Sequence, residues 1–117
     1  KKGVTSLPTL GDGRQSGTSD SPSILNASPE SAVGGGLAWL RTGDVIRIDL
    51  NRGECNMLVS DDVIAERKKD GLPPVPESMT VWQEIYRATV SQLHTGGVME
   101  PALKYKRIAE KTPRHNH

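Results

Sequence analysis

The sequence predicts a single mixed, β-rich domain with flanking short helices and a C-terminal helical extension, and three observations carry that expectation. Its 117 residues fall within the roughly 100–200 residues of one domain. Glycine (12) and proline (8) are frequent while aromatic residues make up 3% and Phe is absent, so the core is expected to be aliphatic and much of the chain to run in loops. Short apolar runs bounded by Gly, Asn and Asp fill the first half, whereas helical periodicity is confined to the stretches after Ser60 and Thr80. We therefore expect a β-rich portion over residues 1–71 and a Pro-rich connector with a helical tail over residues 72–117.

Residues 4–10 form a β-capable run that stops at Gly11-Asp12-Gly13, a tight-turn composition. Residues 11–20 (GDGRQSGTSD) are small and polar, and Ser21-Pro22-Ser23 delays regular structure until Ile24. Ser28-Pro29-Glu30 predicts a helix start with Ser as N-cap, Pro at the first helical position and an acid in the first turn. Gly34-Gly35-Gly36 ends it. Residues 37–40 predict a buried strand, Arg41-Thr42-Gly43-Asp44 a turn, and residues 45–49 a strand with Arg47 and Asp49 opposite Ile46 and Ile48. After the turn at Asn51-Arg52-Gly53, residues 54–59 complete a β-meander. Ser60 predicts a helix cap, with Asp61 and Asp62 in the first turn, Arg67, Lys68 and Lys69 in the last, and Gly71 as the stop. Residues 73–76 (PPVP) are an extended connector. Thr80-Val81-Trp82-Gln83 is a capping box opening a helix that carries Trp82, Ile85, Tyr86, Val90 and Leu93 at helical spacing. Gly96-Gly97 breaks it, and Pro101 opens a helical stretch through Ile108.

Charge and cysteine usage exclude several classes. Fifteen basic and fourteen acidic residues leave a formal net charge of +1, which gives no reason to expect nucleic acid or an anionic membrane as partner. The last fourteen residues are more basic, with Lys104, Lys106, Arg107, Lys111 and Arg114 against Glu110. They read as a solvated tail, with only Tyr105 for base stacking. A lone cysteine, Cys55, excludes an internal disulfide and any multi-cysteine zinc or iron–sulfur site built from this chain alone, and it fits a reducing, cytoplasmic setting. No stretch reaches the ~18 apolar residues of a membrane span. No signal-peptide core follows Lys1-Lys2-Gly3. The chain lacks an initiating Met and is expected to be a piece of something longer.

The loop Gly11-Asp12-Gly13-Arg14-Gln15-Ser16-Gly17-Thr18-Ser19 is the strongest chemical candidate. Following a strand, its unhindered backbone N–H groups can form a concave anion site with the Ser16 and Thr18 hydroxyls beside them. The spacing is G-x-G-x-x-x-G, so it is not the dinucleotide fingerprint. It also lacks the Gly-Lys-Ser/Thr of a Walker loop and the Gly two residues before Ser16 that a nucleophile elbow needs. On residue types alone, a structural turn accounts for it at least as well.

Four segments then occur in order: residues 11–17 (GDGRQSG), 28–36 (SPESAVGGG), 41–49 (RTGDVIRID) and 58–67 (LVSDDVIAER). In this arrangement they resemble the C-terminal part of the dihydroxy-acid dehydratase and 6-phosphogluconate dehydratase family, nearest the branch acting on sugar acids. The resemblance covers essentially the whole chain. It implies an aconitase-swivel-like β-barrel over residues 1–71 and a parent several times longer, a homo-oligomer whose N-terminal domain lies outside this chain. It also implies a hydro-lyase that converts a pentonate or hexonate to the 2-keto-3-deoxy acid with an iron–sulfur cluster and Mg²⁺, both held by the N-terminal domain, so no metal ligand is assigned to this chain. The serine of the family's G-R-x-S-G loop removes the C2 proton, and here it is Ser16. A hydroxyl is too weak a base unless its alkoxide is stabilised, which is the reason for placing it beside backbone N–H groups and a metal. Thr18 would present its hydroxyl to the substrate carboxylate. Polar Gln15 and Thr18 stand where the branched-chain branch carries Phe and Gly, and they favour a polyhydroxylated substrate. Asp20 receives no role.

Other candidates are weaker. Cys55, in an expected strand, reads as a buried structural residue rather than a cluster ligand. His115 and His117 read as exposed rather than as metal ligands, while the tail could fold back so that His115 or Arg114 meets the anionic substrate. The Trp82 face reads as core or interdomain packing. Two other functions stay open: a dihydroxy-acid dehydratase of branched-chain amino-acid synthesis, and, for the isolated chain, a non-catalytic binding or assembly module. The isolated chain is expected to be inactive.

Overall fold

Pro8 has no N–H to give to a ladder, and the first strand starts immediately after it. Strand β1 (Thr9–Leu10) pairs in parallel with β2 (Ser23–Ile24) in the register Thr9↔Ser23 and Leu10↔Ile24. The Thr9 N–H donates to the Pro22 carbonyl at 3.0 Å and the Gly11 N–H to the Ile24 carbonyl at 2.8 Å. The strand expected from Val4 is therefore shortened, and Val4 and Leu7 are exposed. The structure is a computed structural model that describes residues 3–15 and 22–107. The chain divides into two units, Lys1–Val75 and Pro76–His117.

In the first unit, the helix expected from Ser28 begins later and is tighter. The Ser28-Pro29 peptide is cis, Glu30 is extended (φ −68°, ψ 151°), and a 3₁₀ turn spans Ser31–Val33. Ser28 is not its cap. The Ser31 N–H donates instead to Asp12 Oδ2 at 2.5 Å, so a carboxylate from a loop far back in the sequence does what a local serine was expected to do. Gly34, left-handed at φ 88°, ends the turn as expected. The buried strand expected over residues 37–40 is instead a second 3₁₀ turn, Gly36–Ala38. The Ala38 and Trp39 N–H groups bond back to the carbonyls of Gly35 (3.0 Å) and Gly36 (3.1 Å), which the glycine run allows and which leaves them nothing to offer a neighbouring strand. The burial expectation holds in part: Ala38 and Trp39 are buried, as is Ala27, while Leu37 and Leu40 are half-buried.

Residues beyond the 41–44 turn form a hairpin, not the three-stranded meander expected. Strands β3 (Ile46–Asp49) and β4 (Glu54–Met57) are antiparallel, with Ile46 opposite Met57 and Ile48 opposite Cys55. The turn is held by Asp49 Oδ1, which accepts from the N–H groups of Asn51 and Arg52, both at 3.1 Å. Helix α1 (Asp61–Lys68) has Ser60 at its N-cap position without a side-chain bond, acids in its first turn and cations in its last. That charge order complements the helix dipole.

In the second unit, helix α2 (Val81–Thr89) starts as its capping box predicts. Thr80 Oγ1 accepts from the Gln83 N–H at 3.2 Å, and Gln83 Oε1 accepts from the Met79 N–H at 2.7 Å. Val90 and Leu93 do not continue it. Val90 turns extended and bridges antiparallel to Met99, and Leu93 opens a 3₁₀ turn, Leu93–Thr95, closed by left-handed Gly96. Another 3₁₀ stretch, Glu100–Tyr105, carries Pro101 near its start; Ile108 lies outside the described residues. Trp82 is 76% exposed, and Tyr86 and Ile85 are also exposed, so among the described residues of this unit no core covers the apolar face of α2. Among the described residues no helix is long and apolar enough to cross a membrane.

Candidate functional site

Parallel pairing of β1 with β2 brings the chain back beside the glycine loop, where the Ala27 N–H donates to the Gly11 carbonyl at 2.9 Å. Two side chains of the loop then reach the turn that follows. Asp12 takes the Ser31 N–H, and that bond holds the Asp12 carboxyl below its ordinary range. Arg14 Nε donates to Glu30 Oε1 in an ion pair whose side chains are only 16% and 19% exposed. Arg14 itself has φ 49°, a left-handed conformation that costs a residue with a Cβ about 1–2 kcal/mol. The Gly35 N–H donates to the Glu30 carbonyl at 2.8 Å. A Cβ there would lie 1.8 Å from the Pro29 carbonyl oxygen. The first two motifs therefore close on each other.

The third and fourth motifs do the same. Arg67 of α1 forms a two-pronged ion pair with Asp44, Nη1 to Oδ2 at 2.6 Å and Nη2 to Oδ1 at 2.9 Å, and Nη1 also donates to the Trp39 carbonyl at 2.8 Å. Asp44 Oδ2 accepts the Arg41 N–H at 2.7 Å. The Trp39 indole N–H reaches the Gly34 carbonyl at 3.3 Å, linking the second motif to this clamp. The guanidinium of Arg67, then the Arg41 N–H, push the Asp44 carboxyl from 3.8 down to about 2. A carboxyl depressed in the folded state contributes stability that is complete above its unfolded value and is lost as pH falls through its folded value. The urea midpoint of the chain is therefore expected to fall between about pH 4 and pH 2, and Asp44→Asn should flatten part of that fall. An unchanged profile in Asp44→Asn would refute the assignment.

A cavity of about 400 Å³ lies in the same unit, lined among others by Leu10, Ala27, Pro29, Ile46, Met57 and Ile64. Cys55 contributes to its lining yet is exposed, which corrects the expectation of burial. The two-stranded hairpin puts no further strand over that end, and Ile48 opposite Cys55 is exposed too.

Of the residues expected to act on substrate, Gln15 is described, exposed, with its Cγ folded back toward Gly13. Ser16, Thr18, Asp20, Arg114, His115 and His117 lie outside the described residues. The chain's one cysteine stands alone, and among the described residues no three His, Cys, Asp or Glu side chains gather to hold a metal ion, so those residues do not fit an iron–sulfur cluster or Mg²⁺. The sequence places Asp12 and Arg14 in the candidate loop and Glu30 at a helix start, but not the bonds of Asp12 to Ser31 and of Arg14 to Glu30. Separations of nineteen and sixteen residues carry no periodic signature. The only hint is a pair of opposite charges inside adjacent motifs.

Comparison with known proteins agrees with these motifs. A D-xylonate dehydratase of Caulobacter vibrioides is 73% identical over 117 residues, all of this chain and 20% of the relative's length. A 6-deoxy-6-sulfo-D-gluconate dehydratase of Pseudomonas putida is 39% identical over 94 residues, 80% of the chain and 16% of the relative. A dihydroxy-acid dehydratase of Clostridium beijerinckii is 40% identical over 96 residues, 82% of the chain and 17% of the relative. The chain thus spans about a fifth of the length of the curated relatives it matches. Residues 1–97 match the C-terminal domain of dihydroxy-acid/6-phosphogluconate dehydratases, and the chain belongs to that family.

Proposed function

We propose that the chain is the C-terminal part of a dehydratase that converts a pentonate or hexonate to the 2-keto-3-deoxy acid, with Ser16 as the base. The observation that carries this reading is the 73% identity, over the full chain, to a D-xylonate dehydratase. Ser16, as its alkoxide, takes the C2 proton while the C3–O bond breaks; the departing hydroxide takes that proton from the Ser16 hydroxyl and leaves as water, which restores the alkoxide, and the resulting enol tautomerises to the 2-keto acid. Backbone N–H groups of the glycine loop stabilise the serine oxygen. Thr18 and Gln15 contact the carboxylate and hydroxyls of the substrate, and His115 reaches it from the tail. The iron–sulfur cluster and Mg²⁺ are assigned to the remainder of the parent, which we place in the cytoplasm as a homo-oligomer. For this part of it we propose the aconitase-swivel-like barrel.

The test is turnover by the full-length parent on two substrate sets. Aldonic acids are expected to be dehydrated with kcat/KM at least about a hundredfold above branched 2,3-dihydroxy acids, a gap of about 3 kcal/mol in transition-state binding. A preference for the branched acids would replace this reading with a dihydroxy-acid dehydratase. The 117-residue chain by itself is expected to show no turnover, and activity there would contradict the division of labour proposed.

A further inference from the structure

We infer that Glu30 is a positioning residue for the base: through its ion pair with Arg14 it holds the left-handed turn from which the chain leads into Gln15 and Ser16. The inference rests on the reading of Ser16 as base. Among the described residues Arg14 is the one non-glycine residue with positive φ. A left-handed residue with a Cβ stays in that conformation only when its surroundings over-determine it. Here the surroundings are specific. Arg14 is tied by its side chain to Glu30, and the Glu30 backbone is itself fixed, since its carbonyl accepts from Val33 at 3.1 Å and Gly35 at 2.8 Å. One residue on, Ser31 is bonded to Asp12 of the same loop. The loop is thus fastened to the turn at two adjacent points, on either side of Gly13.

Of the other ion pairs among the described residues, Arg67 with Asp44 is also shielded and long-range but holds α1 rather than the glycine loop. Arg52 with Glu54 and Lys69 with Glu66 are exposed and join residues two and three apart, so they fix no distant backbone. The Arg14 and Glu30 pair joins residues sixteen apart and is largely shielded. A misplacement of about 1 Å at a reacting group can cost on the order of a hundredfold in rate. Loosening Arg14 loosens the chain that leads into the proposed base and into Gln15 and Thr18, so kcat falls and KM rises by a smaller factor.

The experiment uses the full-length parent carrying Glu30→Gln, Glu30→Ala, the charge swap of Arg14→Glu with Glu30→Arg, Glu66→Gln as a charge-removal control, and Ser16→Ala. Readouts are kcat and KM on an aldonic acid, the thermal midpoint, and amide hydrogen exchange at residues 12–15. Glu30→Gln and Glu30→Ala are expected to lower kcat by about ten- to a hundredfold, to raise KM by roughly two- to fivefold because Gln15 and Thr18 share the loop, and to speed exchange at residues 12–15 by about tenfold. The swap should recover most of each, and Glu66→Gln should change none of them. Unchanged kcat and exchange in Glu30→Ala, beside a dead Ser16→Ala, would overturn the positioning role alone. Faster exchange throughout the chain, with a lower thermal midpoint, would overturn it in favour of a purely structural one. Near-wild-type turnover by Ser16→Ala would overturn the reading of the base and the positioning role with it.

Discussion

Full-length parent carrying Ser16→Ala is expected to lose about 10²–10⁴ in kcat on aldonic acids, with KM nearly unchanged. The proton at C2 of a hydroxy acid is weakly acidic, and its removal needs a base at hydrogen-bond distance as the C3 hydroxyl leaves. Alanine keeps the loop's small volume and its backbone N–H groups, so substrate binding survives while the proton acceptor is gone. The loss corresponds to about 3–5 kcal/mol of barrier. Steady-state kinetics at saturating aldonate measure it, and a thermal midpoint matching the parent's separates lost chemistry from lost folding. Turnover within a fewfold of the parent would remove Ser16 from the mechanism.

Gly35→Ala is expected to destabilise the fold by about 3 kcal/mol, at the upper end of what overpacking costs. The atoms in the way are all backbone: the new Cβ would meet the Pro29 oxygen at 1.8 Å, the Pro29 carbon at 2.5 Å and the Glu30 oxygen at 2.8 Å. Backbone cannot move aside as a flexible side chain can. The 28–31 segment would have to shift away, carrying with it the Glu30 carboxylate and the Ser31 N–H that fasten the glycine loop. Equilibrium urea unfolding of the chain measures the loss. Gly43→Ala makes the contrast, because no atom within 4 Å meets a Cβ there and only its left-handed φ of 96° is penalised. Equal losses at the two positions would show that the contact at Gly35 is relieved without cost.

What the sequence reveals, and what it conceals, follows from the range of the forces involved. Both α-helices are legible because their signals are local: acids at the start and cations at the end of α1, and the Thr80 and Gln83 box of α2. The hairpin is legible from Asn51-Arg52-Gly53 between two apolar runs. Residues 28–40 are not, because their bonding is decided from outside. Asp12 supplies the N–H partner that Ser28 was expected to supply, and turns close where a strand would need a neighbour. The glycine loop is recognisable as a motif, but its attachment to Glu30 and Ser31 depends on the β1 and β2 pairing that brings them together. Arg67 illustrates both ranges. Its place in the last turn of α1 is a local matter, while its grip on Asp44 and the Trp39 carbonyl joins residues 23 and 28 apart.

The two tryptophans give each unit its own optical reporter. Trp39, 6% exposed in the first unit, sits on the clamp between Gly34 and Arg67, whereas Trp82, 76% exposed, belongs to the second unit. Emission from Trp39 should therefore lie to the blue and resist acrylamide, and that from Trp82 should lie to the red and be quenched readily. With Trp82 replaced by Phe, a single fluorophore would follow the unfolding of the part of the chain that carries all four motifs.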